Sequence, residues 1–262
     1  KLKYNLEKAQ LQNHKGLLTF GGAFSNHIAA TASAGQELNI PTVGIIRGEE
    51  LVTQIESNPT LRYAKSCGMH LEFVSRSSYN KKTDPAYLLQ LLETFKDYYI
   101  LPEGGTNALA IKGCEEILTV KDQSFDIICC AVGTGGTIAG VINRSLLTQK
   151  IIGFPALKGE FLKEDICKFA TQSNWELWGD YHFGGYAKVD SKLIKFMNDF
   201  KLIYNIPLDP VYTAKMMYGI FEGIRSGEIP QTAKVLAIHT GGLQGIEGMN
   251  LRLKEKKLEE II

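Results

Sequence analysis

Four glycine-rich segments hold the residues with the clearest chemical potential. They are Gly21-Gly22-Ala23-Phe24-Ser25-Asn26-His27, Glu103-Gly104-Gly105-Thr106-Asn107, Gly133-Thr134-Gly135-Gly136-Thr137 and His239-Thr240-Gly241-Gly242. Each lies just past the end of an expected strand. In α/β proteins, ligands bind beyond the carboxyl ends of strands. Glycine lets backbone N–H groups approach an anion, and a helix N-terminus adds a favourable dipole. The third segment is the best-formed anion site. A strand expected over 126–132 leads straight into Gly133, Thr134, Gly135, Gly136 and Thr137, whose amides and two hydroxyls can wrap a phosphate. It is neither a Walker loop nor a G-x-G-x-x-G fingerprint. Taken alone, it is equally a tight βα turn that binds nothing.

The polar residues beside these turns carry plain readings too. Ser25 opens a helix and suits an N-cap, Asn26 suits a turn, and His27 suits a satisfied histidine at a helix start. Asp209-Pro210-Val211-Tyr212-Thr213 reads as an Asx-Pro turn with a core tyrosine, and Gly184-Gly185-Tyr186 as a plain turn.

The elements that position these residues follow from periodicity. Short apolar strands are expected at 17–20, 42–46, 71–74, 98–101, 126–132, 151–154 and 235–238. Helical patterns fall at 2–14, 25–39, 107–120, 136–147, 160–172, 190–201 and 213–226, with a closing helix. Asn58-Pro59 starts another helix, with Asn as cap and Pro in the first turn. Trp175 and Trp178 read as packing residues. Repeated βα units predict an α/β fold with mostly parallel sheets. A length of 262 residues allows one or two domains. If there are two, the boundary falls near Glu103-Gly104-Gly105, giving a smaller domain over 1–103 and a larger one over 104–262.

Composition narrows the class. The chain is 44% hydrophobic and 22% charged, ordinary for a globular protein. With 29 basic and 28 acidic residues the net charge is +1, so no field gathers nucleic acid or an anionic membrane. No apolar run has the length of a membrane span, and no signal peptide is visible. The five cysteines show no C-x-x-C spacing, and Cys129-Cys130 sits in an apolar strand. A reduced, cytoplasmic setting is the expectation.

Taken together, the segments resemble the pyridoxal-phosphate (PLP) enzymes of the tryptophan-synthase β-like fold, fold type II. More narrowly they resemble the group of 1-aminocyclopropane-1-carboxylate (ACC) deaminases and D-cysteine desulfhydrases. The matching pieces are Gly21–His27, Glu103–Asn107, Gly133–Thr137, Gly184–Tyr186, Leu208–Lys215 and His239–Gly242, in the family's order and along nearly the whole chain. Each is weak alone. Gly133–Thr137 identifies the wider superfamily, whereas the S-N-H turn and the D-P-V-Y segment identify the group. The resemblance implies two intimately packed three-layer α/β domains, a small amino acid as substrate and a homodimer.

It also implies roles. Gly133, Thr134, Gly135, Gly136 and Thr137 hold the cofactor phosphate, and Lys1 matches a lysine that reaches it. Asn26 bonds the pyridine 3′-oxygen, and Thr213 stands at the position facing the pyridine nitrogen. Ser25 is a proton shuttle or nucleophile over the substrate. Tyr186 and Tyr212, together with Asn26 and His27, line the substrate side. Thr240 and Gly241 complete the rim.

Two departures stand out. The family's Schiff-base lysine lies three residues ahead of the position matched by Lys1. It is therefore expected upstream of this chain, and neither Lys1 nor Lys3 replaces it. The opening Lys1-Leu2-Lys3-Tyr4, in helical rhythm with no initiator methionine, fits residues preceding it. Second, ACC deaminases typically carry glutamate where Thr213 stands. A hydroxyl stabilises a pyridinium charge far less than a carboxylate does. The expectation is thus a D-cysteine desulfhydrase-like β-elimination giving pyruvate, ammonia and sulfide. ACC ring opening to 2-oxobutanoate and ammonia is the alternative. A non-catalytic PLP-fold protein is the alternative of another class, because the Schiff-base lysine is not in this chain.

Overall fold

The computed structural model describes residues 1–159 and 161–262. The chain divides into two compact units, Lys1–Ala110 and Ile111–Ile262. The first unit runs α1 (Lys3–Leu11), β1 (Gly16–Gly21), α2 (Asn26–Leu38), β2 (Thr42–Arg47), α3 (Pro59–Ser66), β3 (His70–Val74), α4 (Arg76–Tyr79), α5 (Pro85–Thr94) and β4 (Tyr98–Ile100); α6 (Ala108–Glu115) crosses into the second. Its sheet has the order β3-β2-β1-β4, all parallel, with Leu17 beside Thr42 and Tyr99.

Strand alternation builds the layers. Leu18 and Phe20 of β1 pack with Val43, Ile45, Tyr79 and Leu91 on one face of the sheet. On the other face Ile28 and Ala32 of α2 meet Ile46, Leu61 and Ala64. Leu17 and Thr19, on the alternate side of β1 from Leu18 and Phe20, are buried as well. Burial of one such Leu or Ile stabilises by about 1.5–3 kcal/mol. The helices start where local chemistry allows. Asn58 Oδ1 accepts the Leu61 N–H at 3.0 Å, and Asp84 Oδ1 accepts the Ala86 N–H at 2.9 Å, each with proline next in the chain.

The second unit continues with β5 (Ile127–Val132), α7 (Gly136–Arg144), β6 (Lys150–Pro155), α8 (Phe161–Cys167), β7 (Trp175–Leu177), α9 (Ser191–Tyr204), α10 (Thr213–Ser226), β8 (Val235–Ile238) and α11 (Gly245–Glu255). Its sheet, also parallel, has the order β7-β6-β5-β8. The buried central strand β5 again divides its residues. Ile128, Cys130 and Val132 face α7 and α8, while Ile127, Cys129 and Ala131 face Met216 and Ile220 of α10. Each unit is therefore a three-layer α/β structure. A further core joins α9, α10 and α11 through Ile194, Met197, Ala214, Tyr218 and Met249.

The unit boundary lies after Glu103-Gly104-Gly105 for a physical reason: side chains of α1 and α4 hold the 103–107 segment, as described below. Three of these elements, the single-turn α4, α5 and β7, have no counterpart among the expected ones. β7 is only three residues long, with Glu176 at its centre tied to Lys150 at 2.8 Å; alternation cannot register in so short a strand. α5 carries the same cap-and-proline signal as α3, at Asp84-Pro85. The helix expected over 107–120 ends at Glu115 and gives way to a 3-10 turn at Val120–Ser124. Of the helix expected over 160–172, residue 160 lies outside the described residues. Trp178 packs edge-on against Phe154, as its packing role requires. Among the described residues, no helix is long and apolar enough to cross a membrane.

Candidate active site

In the first unit the site begins where β1 ends. Gly21 is followed by a turn, and Ser25 caps α2 by accepting the Ile28 N–H at 3.3 Å. A Cβ on Gly21 would stand 2.7 Å from Ser25 Oγ, so only glycine lets the turn fold back this closely. Ser25, Asn26 and His27 are all half-buried. They occupy the cap and first turn of one helix, at the carboxyl end of a parallel strand.

His27 is held by a residue the sequence did not single out. Thr19, fully buried on β1, donates its one hydroxyl proton to the Leu101 carbonyl at 3.1 Å. Its 2.7 Å contact with His27 Nε2 must then be an N–H donated by the ring. The neutral ring therefore carries its proton on Nε2, and Nδ1 is a bare acceptor. Burial, helped by the Lys1 charge, pushes the imidazolium pKa down to about 3, so the ring stays neutral. The ring lies over Gly105, whose φ is +65° and where a Cβ would come 2.7 Å from Cε1.

The 103–107 segment is anchored on both sides. Tyr79 donates its hydroxyl to Glu103 at 2.6 Å, and Lys82 stands 3.4 Å from the other carboxylate oxygen. Glu103 thus fixes the turn. Asn107 exchanges amide hydrogen bonds with the buried Asn5, at 2.8 and 3.2 Å, and caps Ala110. Tyr99 adds a third contact to Asn5 at 3.1 Å. This network locks α1 in place and leaves Lys1 with its Nζ 3.4 Å from the Thr106 hydroxyl.

In the second unit, β5 runs into Gly133 and α7 begins at Gly136. Gly135 has a φ of +79°, and a Cβ there would come 2.8 Å from Ile166. At Gly133 a Cβ would stand 3.1 Å from the Tyr212 ring. No side chain caps α7 and no acid occupies its first turn. The amides at the start of α7, with the Thr134 and Thr137 hydroxyls nearby, form a donor set for an anion.

The turn before α10 presents Tyr212. Asp209 Oδ1 accepts the N–H groups of Val211 and Tyr212 at 3.1 and 2.5 Å, and the Asp209 N–H donates to the Thr213 hydroxyl at 2.8 Å. Thr213 is fully buried, and its hydroxyl accepts from this turn. Tyr186 is 39% exposed, and its ring meets Tyr212 at 6.2 Å in an edge-on contact. At the end of β8, His239 Nε2–H donates to the Pro207 carbonyl at 3.0 Å while Nδ1 accepts the Gly241 N–H at 3.2 Å. That ring joins Thr240-Gly241 to the segment leading into Asp209. The expected residues thus form two groups. Lys1, Ser25, Asn26 and His27 belong to the first unit; Gly133–Thr137, Tyr186, Tyr212, Thr213, Thr240 and Gly241 belong to the second.

The family model described as "Pyridoxal-phosphate dependent enzyme" matches residues 1–241. The chain belongs to the pyridoxal-phosphate dependent enzymes. A Thermotoga maritima protein named putative 1-aminocyclopropane-1-carboxylate deaminase is 31% identical, over 97% of this chain and 86% of its own. An Arabidopsis thaliana mitochondrial protein, named bifunctional D-cysteine desulfhydrase/1-aminocyclopropane-1-carboxylate deaminase, is 29% identical over 94% of this chain and 68% of its own. The solved structure of an ACC deaminase homologue superposes with a TM-score of 0.81 at 27% identity, covering 97% of this chain and 82% of that one.

For a PLP enzyme, the second unit offers a fitting seat for the cofactor phosphate. Adding a Cβ at Gly133 or Gly135 would crowd the loop, and amides and hydroxyls with no carboxylate in the first turn suit a phosphate dianion. Thr19, Asn5, Tyr79 and Lys215 were missed in the sequence. Thr19 and Lys215 are polar residues inside apolar runs, and that was the available signal; Tyr79 stands in the polar stretch Ser75–Lys82, which gave none.

Proposed function

We propose that this PLP enzyme is a deaminating lyase that eliminates the β-substituent of a small amino acid, releasing pyruvate, ammonia and sulfide from D-cysteine. The observation that carries the choice of substrate is the neutral, buried Thr213 hydroxyl directly after Tyr212, where ACC deaminases typically hold a carboxylate. A hydroxyl at Thr213 would give the pyridine nitrogen of a bound cofactor no carboxylate partner, and the cofactor would then draw electrons less strongly. That suits a carbanion discharged at once by a leaving group, and suits cyclopropane opening less. ACC deamination is the second reading, favoured by the names of the relatives above.

When bound, pyridoxal phosphate holds the substrate amino group covalently and draws electrons from its α-carbon. The residues of this chain do the rest. Gly133–Thr137 hold the phosphate, with Lys1 assigned to the same group. Asn26 bonds the 3′-oxygen. His27 offers an acceptor at Nδ1, neutral at ordinary pH because burial and the Lys1 charge lower its pKa. Ser25 moves a proton at the substrate, and Tyr186 and Tyr212 line the leaving-group side, with Thr240 and Gly241 at the rim.

The protein is further proposed to act in the cytoplasm, where its five cysteines, none in a disulfide, stay reduced. It is also proposed to form a homodimer, which would cover apolar side chains such as Leu202 and Ile203, 73% and 70% exposed. Supplying the full-length protein with PLP and assaying products tests the main reading. Sulfide and pyruvate from D-cysteine are expected. 2-Oxobutanoate from ACC without sulfide from D-cysteine would contradict it, and the absence of a visible-absorbing PLP adduct would leave a non-catalytic protein.

A further inference from the structure

Lys215 is 1% exposed, and its ammonium donates to the carbonyls of His182 and Gly185, each at 2.8 Å. The turn carrying those carbonyls is strained. Phe183 (φ 51°), Gly184 (φ 90°), Gly185 (φ 114°) and Ala187 (φ 52°) all have positive φ, and two of them are not glycine. Left-handed backbone at a non-glycine residue costs about 1–2 kcal/mol. A turn with two such residues persists only when its surroundings hold it. Within the turn, His182 supplies part of the support by accepting the Gly184 N–H on Nδ1 at 2.9 Å. The Gly185 N–H donates to the His182 carbonyl at 3.0 Å, and the Phe183 ring packs edge-on against Tyr218; Lys215 adds a tie from α10 to the His182 and Gly185 carbonyls.

Burying an ammonium is costly unless it is matched by acceptors or charge. Lys215 has two carbonyls and the field of the fully buried Asp209 carboxylate. Desolvation still outweighs that field and pushes its pKa down to about 8. A neutral amine retains two N–H groups, enough for both carbonyls, so the contact does not depend on the charge. Lys215 also lies three residues beyond Tyr212, in the first turn of α10. The residue after Gly185 is Tyr186, whose ring meets Tyr212.

We propose that Lys215 is a positioning residue: it clamps the strained 182–186 turn onto α10 so that Tyr186 stands against Tyr212, and this pairing sets the fit of the substrate's leaving group. The second half rests on the reading that the two tyrosines line the substrate.

The test uses the full-length, PLP-loaded protein and the variants K215M, Y186F and K215M/Y186F. Because K215M leaves Asp209 without its compensating charge, D209N/K215M serves as the neutral counterpart if K215M does not fold. Hydrogen exchange by mass spectrometry reads the clamp. Amides over 183–188 should exchange at least about tenfold faster in K215M, with the central part of α10 unchanged. kcat/KM for D-cysteine should fall by about 10- to 100-fold in K215M. Y186F should cost far less in the K215M background than alone, because the tyrosine is already misplaced. Unchanged exchange over 183–188 overturns the clamp. So do strictly additive losses, which would show that Lys215 acts elsewhere. If exchange rises but Y186F is kinetically silent in both backgrounds, the clamp stands and the assignment of Tyr186 to the substrate side fails.

Discussion

Thr19 decides which nitrogen of His27 carries the proton. Its single hydroxyl hydrogen is committed to the Leu101 carbonyl at 3.1 Å, so the 2.7 Å contact from His27 Nε2 can only be an N–H donated to it. The histidine is thereby fixed as a neutral acceptor through Nδ1, beside Ser25 and Asn26.

This relationship has a pH signature. Burial and the Lys1 charge lower the folded-state pKa of His27 to about 3, from an ordinary value of about 6.5. Below pH 6.5 the unfolded chain takes up a proton that the folded chain refuses until about pH 3. Stability from this source is complete above 6.5 and is lost as pH falls through that window, by up to about 1.4 kcal/mol per pH unit. His27→Gln should flatten this acid limb in denaturant titrations. An identical acid limb in the variant would contradict the assignment, as would an Nδ1–H tautomer in the nitrogen NMR spectrum of the native protein.

Ser25 can be tested as a cap and as a chemical group separately. Ser25→Ala removes the acceptor for the Ile28 N–H and should cost about 1 kcal/mol of stability. It should also depress turnover by about 100-fold while PLP affinity, read by absorbance, holds. Ser25→Asn keeps a capping oxygen but no hydroxyl. It should recover the stability and not the turnover. Recovery of both would reduce Ser25 to a cap.

Gly135 should be intolerant of any side chain. Alanine there meets a φ of +79° and Ile166 at 2.8 Å. Gly135→Ala is expected to lose about 1–3 kcal/mol of stability and to weaken PLP binding at least about tenfold. Titration of the apoprotein with PLP, followed by its absorbance, measures the second effect. Undiminished affinity would move the phosphate elsewhere.

Asn5 joins α1 to the 103–107 segment through Asn107 and Tyr99. Asn5→Leu leaves those partners buried without it and should destabilise the protein by about 2–4 kcal/mol. Urea unfolding checks this. A loss below about 0.5 kcal/mol would mean the network adds little.

The apolar runs Ile127–Val132 and Leu17–Phe20 made the two parallel sheets legible, because strands buried on both faces read as apolar runs. The glycine turns were legible for a related reason: Gly135 and Gly105 sit at positive φ, where sequence choice is narrow. What the sequence hid were long-range polar contacts. Nothing near Thr19 announces Leu101 and His27, and nothing near Lys215 announces carbonyls 30 and 33 residues earlier. β7 escaped because three residues cannot show a period. Ser25 and Asn26 kept two readings because a cap and a chemical group use the same residue types.

The most direct test is the ratio of kcat/KM for D-cysteine to that for ACC, measured on one preparation of full-length, PLP-saturated protein. With a hydroxyl at Thr213 the account predicts a ratio well above one. A ratio well below one would mean that cyclopropane opening is the native chemistry and that the hydroxyl at Thr213 does not select the reaction.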